Sequence, residues 1–584
     1  MIRPFVYRNL VNNRLLSCSF SRMSSQLVKV QVKQGIIIGQ QKNLPNGNKY
    51  ESFQGIPYAV PPIGELRFRS PLPLEQFDVP ELDCLKEGDV SHHRDPFTGE
   101  LIGSENCLFL NVYVPKGKTY AEKPLPVMVW IHGGGFTFGN GNSDYYLPLS
   151  LMQEDVIVVT FNYRLGALGF LYLPEEGIWG NAGLKDQRLA LEWVNENIHR
   201  FNGDPNNVTL FGESAGAASV HLHMCSKHAH KLFHKTIMQS GTANMEWVFQ
   251  TNPVYKTRKL AEDLGYKETS NTKGLLKFLQ SPEVTDAHIL SKMLGVLTRE
   301  ERRRELPLPF KPVIEDSQSP DSFLDQPILE KLKNQPNSIA IPSIMGYNSA
   351  EGIGMMINAL RKLEEYDRDF KRMVPRNIPL DPYHADVEEI GKQMRDFYLN
   401  GRPLTLKMLN ELANILTDYH FSVDMQNAAK WQTLLQPQAP VYFYQFDYVG
   451  GRNLYKVMLQ LDKLRGASHG DELFYLFQMA GNNDMGSAED QRITKQLSYL
   501  WANFAKYSNP TPSNLEMDAS ISCKWQPVRK PPSEQEPFIL DYLSIENSGC
   551  HMKTNPDKER IEFWRNIYQK FSQPLDYSRI SAKL

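Results

Sequence analysis

Val208-Thr209-Leu210-Phe211-Gly212-Glu213-Ser214-Ala215-Gly216, continuing through Ala217 to Met224, decides the fold. Val208 to Phe211 is a short apolar, β-favouring run that ends at a glycine, as a buried strand does. From Ala217 to Met224 there is no Gly and no Pro, and the segment reads as a helix. Between them lies a G-x-S-x-G turn. On a strand-turn-helix path the glycines permit a tight turn, and the turn lifts the Ser214 hydroxyl clear of the sheet. The helix that follows brings its free N–H groups and positive dipole end to the same place. The pattern is weak by itself in a chain with 38 glycines, so its setting carries the weight.

Further out, Val127 to Ile131 is a second buried run, and it enters His132-Gly133-Gly134-Gly135-Phe136. Val156 to Thr160 is a third. Continuous apolar strands alternating with helical patterns predict an α/β fold with a large, mostly parallel sheet and helices on both faces. Two charged, helix-like stretches, about 255–304 and 359–432, read as helical insertions over that sheet. No Ser/Gly linker, charge block or repeat interrupts the chain between them. One catalytic domain over 27–573 is therefore expected, with an extension over 1–26 and a tail over 574–584, although 584 residues would ordinarily suggest about four domains.

A serine hydroxyl attacks only when a base takes its proton, and the tetrahedral species it forms needs hydrogen-bond donors for its oxyanion. The glycine triplet after a buried strand suits that second need, because side chains there would block the backbone N–H groups. The amides of Gly134, Gly135 and Ala215 are the expected donors. No G-K-[ST] follows the triplet, so a phosphate loop is not indicated. His223, Cys225, His228, His230 and His234 are dense enough to raise a metal site. They lie in a polar, Lys-containing stretch after the helix, and no metal or other cofactor is expected. Asn207-Val208-Thr209 is a glycosylation sequon on a strand expected to be buried.

Composition narrows the partners. With 64 Lys+Arg against 66 Asp+Glu the net charge is −2, so bulk attraction to nucleic acid is not expected. There is no CxxC pair among six cysteines. Cys84 and Cys107 flank a polar segment, and one disulfide or two free thiols both fit.

Other segments carry a family resemblance. Phe53-Gln54-Gly55-Ile56-Pro57-Tyr58-Ala59, with Pro61-Pro62 and Leu66-Arg67-Phe68, is one. Ser104-Glu105-Asn106-Cys107-Leu108-Phe109-Leu110-Asn111 is another, with Asn106 where the family usually has Asp. Asn162-Tyr163-Arg164-Leu165-Gly166 and Asn181-Ala182-Gly183-Leu184-Lys185-Asp186-Gln187 follow in order. Beyond the first 27 residues or so, the chain resembles the type-B carboxylesterases, cholinesterase-related enzymes of the α/β-hydrolase fold, and is most similar to insect alpha-esterases. The resemblance implies a Ser-acid-His triad of Ser214, Glu351 (in Asn348-Ser349-Ala350-Glu351-Gly352) and His469 (in Gly466-Ala467-Ser468-His469-Gly470-Asp471-Glu472-Leu473). Glu351 would fix the tautomer of His469, which would deprotonate Ser214 and later protonate the leaving alcohol. An unperturbed imidazole would make activity fall below an apparent pKa of about 6–7. The same resemblance places Glu213 and Ser240 behind the triad and Trp247 on the acyl side of the pocket. It pairs Cys84 with Cys107 and leaves Cys523, at another disulfide position, without a clear partner.

Cholinesterases carry a Trp in the Cys-flanked loop, and residues 85–106 contain none. Juvenile hormone esterases typically have Gln before the nucleophile, where this chain has Glu213. The expectation is a carboxylic ester hydrolase acting on small, uncharged, apolar esters through a serine acyl-enzyme, reactive also toward organophosphates. Stoichiometric ester or organophosphate sequestration is one alternative, and a catalytically inactive adhesion or scaffold relative is the other. At the ends, Arg3, Arg8, Arg14 and Arg22 oppose Ile2, Phe5, Val6, Leu10, Leu16 and Phe20 on a helical wheel. That pattern suits a mitochondrial presequence or peripheral contact with a membrane surface. Ala582-Lys583-Leu584 resembles a peroxisomal address. An intracellular location is expected, with secretion disfavoured.

Overall fold

A computed structural model describes residues 26–571, apart from 97, 268–273, 305, 317, 335–339, 379, 381–382, 480–484 and 531–537. The basic extension up to residue 25 and the Ala-Lys-Leu end lie outside the described residues.

Thirteen strands form the main sheet: β1 (Leu27–Val32), β2 (Gly35–Asn43), β3 (Lys49–Pro57), β4 (Glu81–Asp83), β5 (Phe109–Lys116), β6 (Leu125–Ile131), β7 (Ile157–Phe161), β8 (Gly203–Glu213), β9 (Lys235–Gln239), β10 (Ser343–Asn348), β11 (Val441–Phe446), β12 (Asp541–Glu546) and β13 (Gly549–Thr554). Their spatial order is β1-β2-β3-β5-β7-β6-β8-β9-β10-β11-β12-β13, with β4 beside β2. From β7 to β12 every neighbouring pair is parallel. β1, β2, β3 and β5 at one end and β13 at the other are antiparallel.

The central strands β6, β7, β9, β10 and β11 are buried at every position because both faces are covered. All seven residues of β6 are buried. Val127, Val129 and Ile131 point into the core shared with helices α1 (Ala182–Asn197) and α2 (Ala215–Cys225). Met128 and Trp130 point the other way, into the core containing Leu497, Leu500, Trp501 and Phe504 of helix α3 (Ala488–Tyr507). Helix α3 starts at a capping box made by Ser487 and Asp490. Trp130 also packs against Phe211 and Phe477, each with ring centroids 4.8 Å away. A side chain of that size contributes several kcal/mol, and truncating it to Ala would cost about 3–5 kcal/mol.

The strand order locates the site. The chain leaves β6 toward β7 on one side, and leaves β8 toward β9 on the other. Outgoing connections therefore diverge between β6 and β8, and it is beyond the carboxyl ends at such a switch point that α/β sheets bind ligands. Ser214 follows β8 and the glycine triplet follows β6. The strand before the turn extends through Glu213, two residues past the apolar run, because the parallel ladder to β9 continues to the Glu213–Gln239 pair.

Both helical insertions are present. Pro253–Asp263, Leu275–Leu279, Asp286–Lys292 and Arg299–Arg304 form the first. Gly352–Leu360, Leu363–Arg368, Ala385–Leu399, Leu409–Thr417 and Val423–Leu435 form the second, which has its own apolar cluster around Met394, Leu412, Ile415 and Trp564. A π-helical turn, Asp418–Ser422, joins its last two helices.

The family-like segments prove to be partners of one another. Arg67 donates from Nε and Nη2 to the two carboxylate oxygens of Glu105, at 2.7 and 2.5 Å. Arg164 makes the same fork on buried Asp186, at 2.8 and 2.6 Å. The cysteine pairing is not formed: Cys84 and Cys107 are buried free thiols. Burial pushes both up to about 12, so the thiolate that disulfide exchange needs is scarce at neutral pH.

Candidate active site

Ser214 has φ +57° and ψ −123°, a backbone conformation that costs a non-glycine residue about 1–3 kcal/mol. Its surroundings hold it there. Ser214 N donates to Gln239 O at the end of β9 (2.8 Å), and Ala218 N in α2 donates to Ser214 O (2.9 Å). A Cβ on Gly216 would lie 2.0 Å from Ile131 O, so only glycine lets α2 lie this close to β6. The turn thus sets Ser214 at the first turn of a buried eleven-residue helix, with Ala215 as its first residue.

The glycine loop lies against this elbow. A Cβ on Gly133 would be 3.1 Å from the Ser214 Cβ. Gly134 has φ +101°, and a Cβ there would strike Phe138 O at 2.0 Å. Its carbonyl accepts from Thr137 N and Phe138 N, while the N–H groups of Gly134, Gly135 and Ala215 find no acceptor among the described residues. The Asn162–Gly166 segment buttresses the loop from below. Tyr163 Oη donates to His132 O (3.0 Å), Gly166 N donates to Phe136 O (2.7 Å), and the Tyr163 ring stacks on His132 at 4.4 Å.

His469 and Glu351 are brought together across 118 residues: Nδ1 is 2.6 Å from Glu351 Oε2. The other Glu351 oxygen accepts from Ser240 Oγ (2.5 Å) and Asn348 N (2.6 Å), so this fully buried carboxylate is anchored at both oxygens. The second ring nitrogen, Nε2, is 3.1 Å from Glu213 Oε1. No hydrogen bond joins it to Ser214 Oγ in this structure. Glu213, expected behind the triad, therefore touches the base directly. Sequence position gave the only available signal for this, since a residue next to the nucleophile on a strand end lies within reach of whatever the nucleophile faces.

Three buried carboxylates govern the imidazole. Burial alone would lower His469, but Glu213 and Glu351, with Glu472 behind them, outweigh it and raise the ring to about 9. Burial likewise raises Glu213 to about 8, against the pull of His469. The expected pH limit near 6–7 thus moves upward.

Trp247 is buried, donates from Nε1 to His420 O (3.0 Å) and packs near Phe421, with centroids 6.2 Å apart. Phe421 in turn lies 4.7 Å from the His469 ring. Trp247 reaches the base through Phe421, which the sequence reading missed because a π turn shifts side-chain direction out of the helical period. The clustered histidines are dispersed in structural roles. His223 bonds Gln187, His230 bonds Ser226 O, and His234 accepts from Val208 N. Among the described residues no group of three or more His, Cys, Asp or Glu could hold a metal ion.

A family model described as the carboxylesterase family matches residues 26–564. A juvenile hormone esterase from Tribolium castaneum is 36% identical, covering 83% of this chain and 84% of the relative. A carboxylic ester hydrolase from Bombus ignitus is 33% identical, covering 94% and 96%. The crystal structure of juvenile hormone esterase from Manduca sexta, with OTFP covalently attached, is 30% identical with a TM-score of 0.78, covering 93% of this chain and 100% of that one.

Proposed function

Because the chain belongs to the carboxylesterase family and is a carboxylic ester hydrolase, we propose that it works through an acyl-enzyme on Ser214. His469 takes the Ser214 proton as the oxygen attacks the ester carbonyl, and Glu351 holds the ring and stabilises the imidazolium. The amides of Gly134, Gly135 and Ala215 receive the oxyanion. His469 then protonates the leaving alcohol, and water repeats the sequence to free the acid. The observation that carries this is the 2.6 Å Glu351–His469 contact, built beyond the strand ends that also hold Ser214. The OTFP covalently attached to the related Manduca sexta esterase supports a covalent route.

Uncharged, apolar esters are the proposed substrates. Phe421 packs against the His469 ring and Trp247 packs near Phe421, an aromatic surrounding that suits apolar groups better than charged ones. Hydrolysis of a panel of 4-nitrophenyl esters tests this: rates should rise with acyl length before falling, and a preference for anionic acyl groups would contradict it. Contact of Nε2 with Glu213 in the resting site favours a second reading, capture of esters with slow release. Burst kinetics separate the two, since a burst equal to the enzyme concentration without steady release means capture.

A further inference from the structure

The acid and the base stand on two separate excursions from the sheet, after β10 and after β11. Their 2.6 Å contact needs the two loops held together, and one residue contributes to this through both its backbone and its side chain. Asn348, the last residue of β10, is fully buried. Its N–H donates to Glu351 Oε1 at 2.6 Å. Its Nδ2 donates to Ser468 O, the carbonyl just before the imidazole, at 2.7 Å, and to Glu472 Oε2 at 2.5 Å. Ser468 O can only accept, which fixes which end of the carboxamide faces it. Two smaller links run alongside: Ala350 N to Ala467 O (2.9 Å) and Ala467 N to Ser349 Oγ (3.0 Å).

The far side of Glu472 is tied down as well. Gln239 Nε2 donates to Glu472 Oε1 (3.0 Å), and Trp501 Nε1 on α3 donates to Gln239 Oε1 (3.0 Å). Consecutive residues at the end of β9 therefore hold two different carboxylates: Gln239 holds Glu472 and Ser240 holds Glu351. Asn348 is the residue that touches both.

We propose that Asn348 is a positioning residue for ester hydrolysis, fixing His469 against Glu351 by tying the carbonyl that precedes the imidazole to the acid's own strand, with Glu472, Gln239 and Trp501 as the counter-anchor. The assignment rests on the triad reading above. An amide is needed because it puts a donor between two acceptors. An aspartate would put a third acceptor there and add a charge to a pocket already holding Glu213, Glu351, Asp471 and Glu472 around His469, with Tyr444 and Tyr455 alongside.

Asn348→Ala should lower kcat for a 4-nitrophenyl ester about 10- to 100-fold, the scale of a small misplacement of reacting groups, with KM little changed. A fluorophosphonate should still label Ser214, at a rate reduced in parallel. Asn348→Asp should lower kcat and also move the pH–rate profile to higher pH. Adding Glu472→Gln to it supplies a donor in place of an acceptor and should restore part of kcat. Wild-type kcat and an unmoved profile in Asn348→Asp would overturn the proposal, as would a loss of thermal stability with no change in the profile. If Asn348→Ala does not fold, the Asn348→Asp/Glu472→Gln pair decides, and absence of rescue overturns it. Undiminished turnover in Ser214→Ala would defeat the triad reading instead.

Discussion

Around Ser214 the geometry is set by backbone. Missing Cβ atoms let β6, β8 and α2 touch, and the serine's own N–H and C=O are bonded to β9 and α2. Around His469 the geometry is set by side chains. Glu351, Ser240, Asn348, Glu472 and Gln239 form a chain of buried polar contacts, several near 2.6 Å. The backbone half rests on steric fit and main-chain hydrogen bonds, while the titratable groups that tune the base gather around His469. One site thus separates where attack occurs from when the base is ready.

The largest effect should come from the backbone-built half. Ser214→Ala should cut ester turnover by roughly 10⁵-fold or more without unfolding the protein, as steady-state assays and thermal melts would show. Next, Glu351→Gln should cost about 10⁴-fold in kcat, because the amide favours the wrong tautomer of His469 while leaving the shape of the site intact. A loss below tenfold would mean that Glu213, on the other ring nitrogen, orients the base instead.

Glu213→Gln sharpens the contrast with a smaller change. A raised His469 is protonated, and so unable to accept the Ser214 proton, until pH climbs toward about 9. The rate in the unaltered enzyme should therefore keep rising above pH 7. Removing the Glu213 charge should move that rise toward the ordinary imidazole range near 6.5. A wild-type profile in Glu213→Gln would show that Glu213 does not govern the base. The smallest effect is expected at Trp247, which meets His469 only through Phe421. Trp247→Ala should shift preference toward bulkier acyl groups by about 10-fold in kcat/KM, the scale of a pocket-shape change, with the pH profile unmoved.

The two halves also differ in how far sequence could reach them. Gly212-Glu213-Ser214-Ala215-Gly216 and Gly133-Gly134-Gly135 are contiguous, and steric demand writes itself into such runs as glycine, so the strand-turn-helix and its neighbouring loop could be read directly. The seven-residue apolar β6 announced a strand covered on both faces. Glu351 and His469 were reachable only by resemblance, since nothing in their local spacing marks them. Asn348 and Glu472 stand inside family-like segments and Gln239 next to Ser240, yet their contacts cross between strands and depend on register. Phe421 was hidden by a π turn. Cys84 and Cys107, which the resemblance pairs and the residues themselves leave open, stand as free thiols: resemblance carries residue positions across, but not oxidation state.

Reaction with a fluorophosphonate followed by peptide mass spectrometry tests the central geometry most directly. One adduct per chain is expected, on the peptide carrying Ser214, absent in Ser214→Ala and formed far more slowly in His469→Ala. An adduct on another residue, or labelling of Ser214 at an unchanged rate without His469, would contradict it.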